Sequence, residues 1–277
     1  MITIFVAIFE GVESKNILRT GILKTLLTNP DIRLVLLVKS QERKTYLERE
    51  FNGPRVLYEA IEPPAPAGLD IFFRRLKFYL LRTGTTALRR EMRYNLTRSA
   101  LAYYLNLSAH WVLARGFIRA IVRTLDFALV RVGAYSVFFE KYQPRLVITA
   151  NLFDEPEIHL LREAKRRRIK TIGIINSWDK ATARCGLRLL PDKMIVPNDL
   201  VKAEMVEHHD IQEKDIFVGG IPQYDRYFSF KPIAREPFFQ KLGIDPKKRL
   251  IVYAPVGGMF GNSDWKMIDI LYRLNRE

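Results

Sequence analysis

Short apolar segments alternate with helical segments along much of the chain. The apolar segments cover residues 2–9, 32–38, 145–150, 171–176, 193–196 and 216–218. Segments with helical character lie between several of them, at about 14–27, 155–168 and 200–208. Continuous apolar strands between helices are typical of parallel sheets that are covered on both faces. The sequence therefore predicts an α/β fold with a doubly wound parallel sheet.

Composition and length narrow the class of protein further. The 277 residues are 48% hydrophobic, which excludes a disordered chain or a small disulfide scaffold. The single cysteine, Cys185, excludes an internal disulfide and any multi-cysteine metal site. No secretory leader is visible, and the longest uncharged helical stretch, 99–114, is shorter than the roughly 20 residues that a membrane-spanning helix needs. We therefore expect a cytoplasmic protein that is soluble or peripheral on the inner face of the membrane.

A basic helical segment, 71–140, separates the two blocks of strands. Between Arg74 and Arg131 it carries twelve basic residues against Glu91 and Asp126, or ten of the fifteen net positive charges of the chain. An apolar helical face, which we expect to be core, is formed by Trp111, Ile118, Ile121, Val122, Leu125, Leu129 and Val132. A cationic stripe is formed by Arg115, Arg119 and Arg123. The stripe either contacts an anionic membrane or an anionic substrate, or it is merely solvated. No nucleic-acid-binding motif accompanies the charge.

The last fifty residues have a different organisation. Residues 1–225 are predicted to form the first domain and 226–248 a linker with a short helix at 238–242. Residues 249–277 read as the start of a second α/β domain, with a strand at 250–254, a glycine-rich loop and a helix from Ser263. Because so short a segment buries little core, we expect the chain to be a fragment.

Polar residues follow three of the predicted strands, where an open α/β sheet binds its ligands. They are Glu10, then Asn151 to Glu155, then Asn176 to Asp179. A carboxylate there can take a proton from a hydroxyl nucleophile, and Trp178 can stack on a ring. The alternative for Asp154 and Asp179 is helix capping.

Other patterns carry less chemistry. Gly257 and Gly258 lie in a loop whose backbone amides can approach a phosphate, but its spacing is neither a dinucleotide nor a P-loop signature. His208 and His209 are adjacent and make a poor metal pair, so we expect both to be solvent-exposed. No metal site is predicted.

Two segments together suggest a family. One is Asn176-Ser177-Trp178-Asp179-Lys180-Ala181-Thr182, and the other is Gly219-Gly220-Ile221-Pro222-Gln223-Tyr224-Asp225. They resemble the GT-B fold glycosyltransferases of bacterial surface-polysaccharide biosynthesis. The second is also similar to the Gly-x-Pro-x-x-Asp element of the CDP-glycerol glycerophosphotransferases. The motifs that carry this resemblance lie only within residues 176–225.

The resemblance implies a Rossmann-like acceptor domain followed by the start of a nucleotide-sugar-binding domain. It implies metal-independent transfer from a nucleotide-sugar, without another cofactor, to a lipid-linked or polysaccharide acceptor at an anionic membrane. The general base would be Asp179, with Asp154 and Glu10 as further candidates. Substrate contacts would come from Asn151, Ser177, Trp178, Gly257 and Gly258. A fragment of this extent is expected to be inactive alone.

Two alternatives remain open. One is a CDP-glycerol-type polyol phosphate transferase, which shares the fold and differs in its donor. The other is a non-catalytic module that binds a membrane or a partner through the basic helices. The two enzymes are separated by comparing their turnover of CDP-glycerol with their turnover of UDP-sugars. The non-catalytic module predicts liposome binding that weakens with salt, and no nucleotide binding.

Overall fold

The computed structural model describes residues 1–255 and 263–274. The chain divides into two compact units, Met1–Ser229 and Phe230–Glu277. The predicted domain boundaries at residues 225 and 248 stay predictions.

The first unit is built on a seven-stranded sheet in which every pairing is parallel. Its strands are β1 (Ile2–Ala7), β2 (Ile32–Val38), β3 (Val56–Ala60), β4 (Leu146–Thr149), β5 (Lys170–Ile174), β6 (Lys193–Val196) and β7 (Ile216–Val218). Their order across the sheet is β3-β2-β1-β4-β5-β6-β7. This is a Rossmann-like arrangement, in which the strand order reverses between β1 and β4. The predicted fold class is confirmed.

Helices connect and cover the strands. In the first unit they are α1 (Gly11–Glu13), α2 (Gly21–Thr28), α3 (Gln41–Glu50), α4 (Leu69–Leu76), α5 (Gly84–Thr97), α6 (Ala100–Leu113), α7 (Gly116–Leu129), α8 (Ser136–Tyr142), α9 (Glu155–Arg166), α10 (Lys180–Ala183), α11 (Asp199–His209) and α12 (Arg226–Ser229). The second unit contains α13 (Arg235–Leu242) and α14 (Ser263–Leu274). None of the described helices is both long enough and apolar enough to cross a bilayer.

The apolar runs are continuous because both faces of the sheet are buried. Along β1 and the two residues after it, Phe5 and Phe9 pack in one hydrophobic cluster. Ile4, Val6 and Ile8 pack in another. Each of these side chains is at most 4% exposed. Two-sided burial of this kind stabilises parallel sheets and leaves only the strand ends for polar chemistry.

The first helical segment is interrupted, unlike the single helix predicted at 14–27. After α1 the chain forms a π-helical turn, Ser14–Leu18, and then α2 begins. The Thr20 hydroxyl accepts a hydrogen bond from the backbone N–H of Ile22 and so caps α2. The π-helical turn follows β1 directly, and such turns are frequent at functional sites.

Helix α7 presents its polar face to the protein and its apolar face to solvent. Arg119, Arg123 and Asp126 are buried, whereas Ile121 and Leu125 are exposed. The prediction that the apolar face is core is therefore wrong. The hydrophobic pattern correctly located the two faces but could not determine which one packs inward, because the partners of the arginines lie far along the chain.

In the second unit, the described residues of the predicted strand at 250–254 form no strand. An isolated strand gains no ladder hydrogen bonds, and the described part of this unit supplies no partner for it. The helical character predicted from Ser263 is confirmed by α14. The helix predicted at 238–242 is present as α13 and begins three residues earlier.

Candidate active site at the carboxyl edge of the sheet

The residues that follow β1, β4 and β5 meet at one edge of the sheet. Glu13 follows β1, Asn151 and Glu157 follow β4, and Lys180 follows β5. This edge includes the point between β1 and β4 where the strand order reverses. In open α/β sheets, that point is where a crevice for ligands forms. The polar residues that the sequence analysis placed after three strands therefore lie along this one edge of the sheet.

Asn151 connects the residues that follow β4 to Lys180, which follows β5, and it is only 3% exposed. Its backbone N–H donates to Oε2 of Glu157 at 2.7 Å, and its side-chain Nδ2 donates to Oδ2 of Asp154 at 2.5 Å. Its Oδ1 accepts a hydrogen bond from Nζ of Lys180 at 3.0 Å. Both polar atoms of the Asn151 side chain therefore have a hydrogen-bond partner, which fixes the orientation of the side chain.

Glu13 and Glu157 form a buried pair of carboxyl groups, and each residue is 1% exposed. Oε2 of Glu13 accepts the backbone N–H of Glu10 at 2.6 Å. Burial, and then the negative charge of Glu13, raises the pKa of Glu157 well above its ordinary value. Burial also raises the pKa of Glu13. The remaining oxygen, Oε1, of each residue is buried without another partner, so one shared proton would satisfy both.

Lys180 brings a positive charge to this acidic group. It is partly buried, and burial lowers the pKa of its ammonium while the neighbouring Asp154 opposes that shift. Arg184 adds a second cation and donates to Oδ1 of Asp154 at 3.0 Å. The edge thus combines carboxylates and cations within one hydrogen-bonded network, as sites of proton transfer to polar substrates require.

The three predicted general bases have different surroundings. Asp179 is exposed, and its carboxylate accepts a hydrogen bond from the Ser177 hydroxyl. Asp154 is held by Asn151 and Arg184. Glu10 forms an ion pair with Lys39, which follows β2. Of the three, Asp179 is the carboxylate without a paired cation among the described residues.

Helix capping does not account for Asp154 or Asp179. Both stand at the N-cap positions of α9 and α10, yet neither side chain makes a capping hydrogen bond. Trp178, next to Asp179, is 68% exposed. Its indole is therefore accessible, and its stacking on a ring of a ligand stays a prediction.

A cleft of about 780 Å³ opens beside the π-helical turn and α3. The lining residues include Lys15, Arg19, Arg43, Tyr46 and Tyr224. Arg19 is paired with Glu50 at 2.6 Å, whereas the side chains of Lys15 and Arg43 have no hydrogen bond or ion pair within the described ranges. These cations were not among the predicted site residues, because neither α3 nor the π-helical turn could be predicted from the sequence.

A buried ion network packs next to the site, among α4, α7 and α9. Nε of Arg188 donates to Asp126 at 2.7 Å, its Nη1 lies 2.8 Å from Asp70, and it also bonds to Glu155 at the start of α9. Lys77 lies 2.7 Å from Glu155, and Arg162 lies 2.7 Å from Asp126. The network joins α4, α7 and α9, so it fixes the N-terminus of α9 beside Asn151.

Three members of this region have atoms close enough to hold a metal ion: Asp70, Glu155 and His159. The carboxylates are already neutralised, because Arg188 contacts both and Lys77 contacts Glu155. Burial opposes ionisation, but His159 and Arg188 hold the pKa of Asp70 well below its ordinary range. Cations of the chain thus already pair with the carboxylates that a metal ion would need as ligands.

The predicted cationic stripe is wrong for two of its three arginines. Arg119 and Arg123 are buried and bond to Asp210 at 2.5 and 2.6 Å. Arg123 also donates to the carbonyl oxygens of Leu187 and His209 at 3.0 Å each. Arg115 remains exposed and lies over the Trp111 ring, 3.9 Å from its centroid. Only Arg115 of the three can contact a membrane or an anion.

His209 also differs from its prediction, because it is completely buried. Its Nε2 lies 2.7 Å from the carbonyl oxygen of Ala181, and burial lowers its pKa to about 3. It thereby ties α11 to α10, next to Lys180. Gly257 and Gly258 lie outside the described residues.

Comparisons with known proteins give weak similarities. No protein-family model and no curated protein matches the chain. Among solved structures, a UDP-N-acetylglucosamine 2-epimerase, so described, from Listeria monocytogenes matches with a TM-score of 0.44 at 9% identity, over 87% of this chain and 51% of that one. A glycosyltransferase from Rickettsia africae matches with a TM-score of 0.40 at 11% identity, over 88% and 50%.

A plant enzyme is also among the solved structures that match this chain. Arabidopsis thaliana UGT89C1, in complex with quercetin, matches with a TM-score of 0.37 at 13% identity, over 87% of this chain and 55% of that one. The chain thus spans about half the length of these proteins. At such scores and identities the likeness assigns no activity, and the fold class stands on the strand order of the sheet itself.

Proposed function

We propose that the carboxyl edge of the sheet is the active site of a GT-B glycosyltransferase. It would move a sugar from a nucleotide-sugar to a lipid-linked or polysaccharide acceptor of the cell envelope, at a membrane surface. The observation that supports this most is the network in which Asn151 joins Glu157, Asp154 and Lys180 at the reversal of strand order. Proton-handling groups and cations stand where such folds bind ligands.

The proposed reaction uses these groups in distinct roles. The acceptor hydroxyl attacks the anomeric carbon, the bond from that carbon to the diphosphate oxygen breaks, and the nucleoside diphosphate leaves. Asp179 takes the hydroxyl proton, because it is exposed and has no cation paired to it in the described ranges. Lys180 and Arg184 offset negative charge that develops beside Asn151. In this proposal the transfer needs no metal ion.

The proposed binding groups lie at this edge, in the adjoining cleft and in the glycine-rich loop of the sequence. Trp178 stacks on a sugar ring of the acceptor, and Ser177 orients the carboxylate of Asp179. Lys15 and Arg43 attract an anionic portion of the acceptor into the cleft. From the sequence resemblance alone, the backbone amides of Gly257 and Gly258 are proposed to receive the diphosphate.

A donor panel tests this proposal. The full gene product is incubated with acceptor membranes and, in turn, UDP-, GDP- and dTDP-sugars and CDP-glycerol, and nucleotide release is measured. Acceptor-dependent release of a nucleoside diphosphate supports glycosyl transfer. Release of CMP from CDP-glycerol instead identifies the polyol phosphate transferase, and no release from any donor rejects both enzymes.

A further inference from the structure

The outward faces of three consecutive helices are apolar. On α6 the exposed side chains recur at helical spacing, and they are Leu101, Tyr104, Leu105, Trp111 and Val112. On α5 they are Leu88, Met92 and Leu96, of which Leu96 is 86% exposed. Helix α6 contacts both α5 and α7. Exposed apolar surface on adjoining helices is unusual in a soluble monomer and marks a site of interaction.

The orientation of α7 is fixed by its buried face. Arg119 and Arg123 are bound to Asp210, which follows α11, and Arg162 on α9 binds Asp126. These contacts hold the polar face of α7 against the domain. The opposite face therefore must point outward, and it carries Phe117, Ile121, Leu125 and Leu129. Turning the helix over would leave buried charges without partners.

The exposed charges around these apolar faces are predominantly positive. Eight exposed arginines lie in the basic segment 71–140, and they are Arg74, Arg75, Arg82, Arg89, Arg93, Arg98, Arg115 and Arg131. The exposed acidic residues over the same segment are Glu91 and Glu140, whereas Asp126 is buried. Arginine beside exposed Leu, Trp and Phe is typical of helices that lie in the boundary between headgroups and acyl chains.

We infer that the outward apolar faces of α5, α6 and α7, here called the apolar-out layer, dock on an anionic lipid surface. The apolar side chains enter the boundary region, and the surrounding arginines contact the headgroup phosphates. A second copy of the chain is disfavoured as occupant, because a two-fold interface would bring the same arginines together. This inference deepens the membrane location in the proposed function, and the test below uses no activity.

Binding to vesicles tests the inference. The protein is mixed with vesicles of phosphatidylglycerol and phosphatidylcholine, or of phosphatidylcholine alone, and the bound fraction is measured by flotation. We expect binding to the anionic vesicles that weakens at least tenfold when the salt is raised from 0.05 to 0.5 M. Replacement of two outward residues, Leu105→Asp with Ile121→Asp, is expected to weaken binding at least tenfold. The control Leu200→Asp introduces an aspartate at an exposed position of α11, outside the three helices, and is expected to leave binding intact.

A fluorescence measurement locates the contact with lipid without relying on the aspartate variants. In a protein carrying Trp178→Phe and Trp265→Phe, Trp111 is the remaining tryptophan. Lipids brominated in their acyl chains are expected to quench its fluorescence in anionic vesicles. Absence of vesicle binding, or binding without quenching and without an effect of the aspartate variants, would overturn the inference. Dimerisation that is lost in the same variants would also overturn it and would assign the layer to a second copy. None of these outcomes bears on the donor panel.

Discussion

Glu13 and Glu157 are paired inside the protein, although they come from opposite sides of the strand-order reversal. Each is 1% exposed, and the nearby charge of Lys180 acts on both without a direct ion pair to either of them among the described residues. Burial and mutual repulsion raise the pKa of Glu157, so the folded protein retains a proton that the unfolded chain releases. The pair links the loop after β1 to the loop after β4.

The first prediction concerns this retained proton. Replacing Glu157 by Gln keeps an acceptor for Asn151 and supplies a permanent donor to Glu13. We expect the unfolding free energy at pH 8 to rise by about 1 kcal/mol, or a Tm increase of roughly 2–4 °C. The reason is that a raised carboxyl pKa costs stability as the pH rises through it. At pH 4, where both glutamates are protonated, the variant and the native protein should unfold alike.

A control for this prediction lies two residues away. Glu155 is bound to Lys77 and Arg188, so Glu155→Gln removes charge from a neutralised group. It should lower Tm at pH 8, and thermal denaturation followed by circular dichroism measures both variants. A lower Tm for both would mean that the Glu13–Glu157 pair is ionised and satisfied by other contacts.

The second prediction concerns acid stability. Burial lowers the pKa of His209 to about 3, whereas an unfolded histidine titrates near 6.5. The unfolded state therefore binds a proton that the folded state excludes, and the unfolding free energy falls as the pH drops below about 6.5. The fall should reach about 1.4 kcal/mol per pH unit from this group. Urea titrations of His209→Gln between pH 4 and pH 7 should show a shallower dependence, and an unchanged slope would contradict a neutral His209.

The third prediction concerns the buried ion network. Arg188→Leu leaves Asp70 and Asp126 with one fewer cation at a site where Arg188 is 2% exposed. Removing one partner from a buried ionic group costs about 3–5 kcal/mol. Arg184→Leu is the matched control, because its side chain is 55% exposed and such ion pairs contribute little. Equal stability of the two variants in urea denaturation would show that the network is not needed for the fold.

The fourth prediction separates the candidate bases. Asp179→Asn should lower the transfer rate of the full gene product by about two orders of magnitude or more. Asp154→Asn and Glu10→Gln should lower it less, since both carboxylates are engaged with Arg184 and Lys39. Asp31→Asn, before β2 at the opposite edge of the sheet, serves as the control. If Asp154→Asn has the largest effect, the base is Asp154.

Much of the sheet could be predicted from the sequence, because burial on both faces leaves continuous apolar runs. The runs that became β2, β6 and β7 were predicted with their observed bounds. Strand β3 was missed, since Val56 to Ala60 contains Tyr58 and Glu59 and so lacks that signal. Helix α3 was missed as well, because its charged sequence shows little apolar periodicity.

The site was predicted only in part. The polar residues that follow strands could be predicted as site candidates from the sequence, because the topology of a parallel sheet alone brings the strand ends to one edge. The roles of Glu13 and Glu157 could not, because a buried acid pair depends on contacts between distant segments. The same reason explains the error at Arg119 and Arg123, whose partner Asp210 lies about ninety residues away. Hydrophobic periodicity reports that a helix has two faces, but not which of them is buried.

Lys180 offers the most direct test of the proposed site, because it joins Asn151 at the centre of the network. The measurement is kcat/KM for transfer by Lys180→Ala, beside Lys170→Ala at the other end of β5 as control. Loss of a charged hydrogen-bonding group predicts a decrease of roughly ten- to a hundredfold for Lys180→Ala, and no change for Lys170→Ala. An unchanged kcat/KM in folded Lys180→Ala protein would contradict the assignment of the active site to this edge of the sheet.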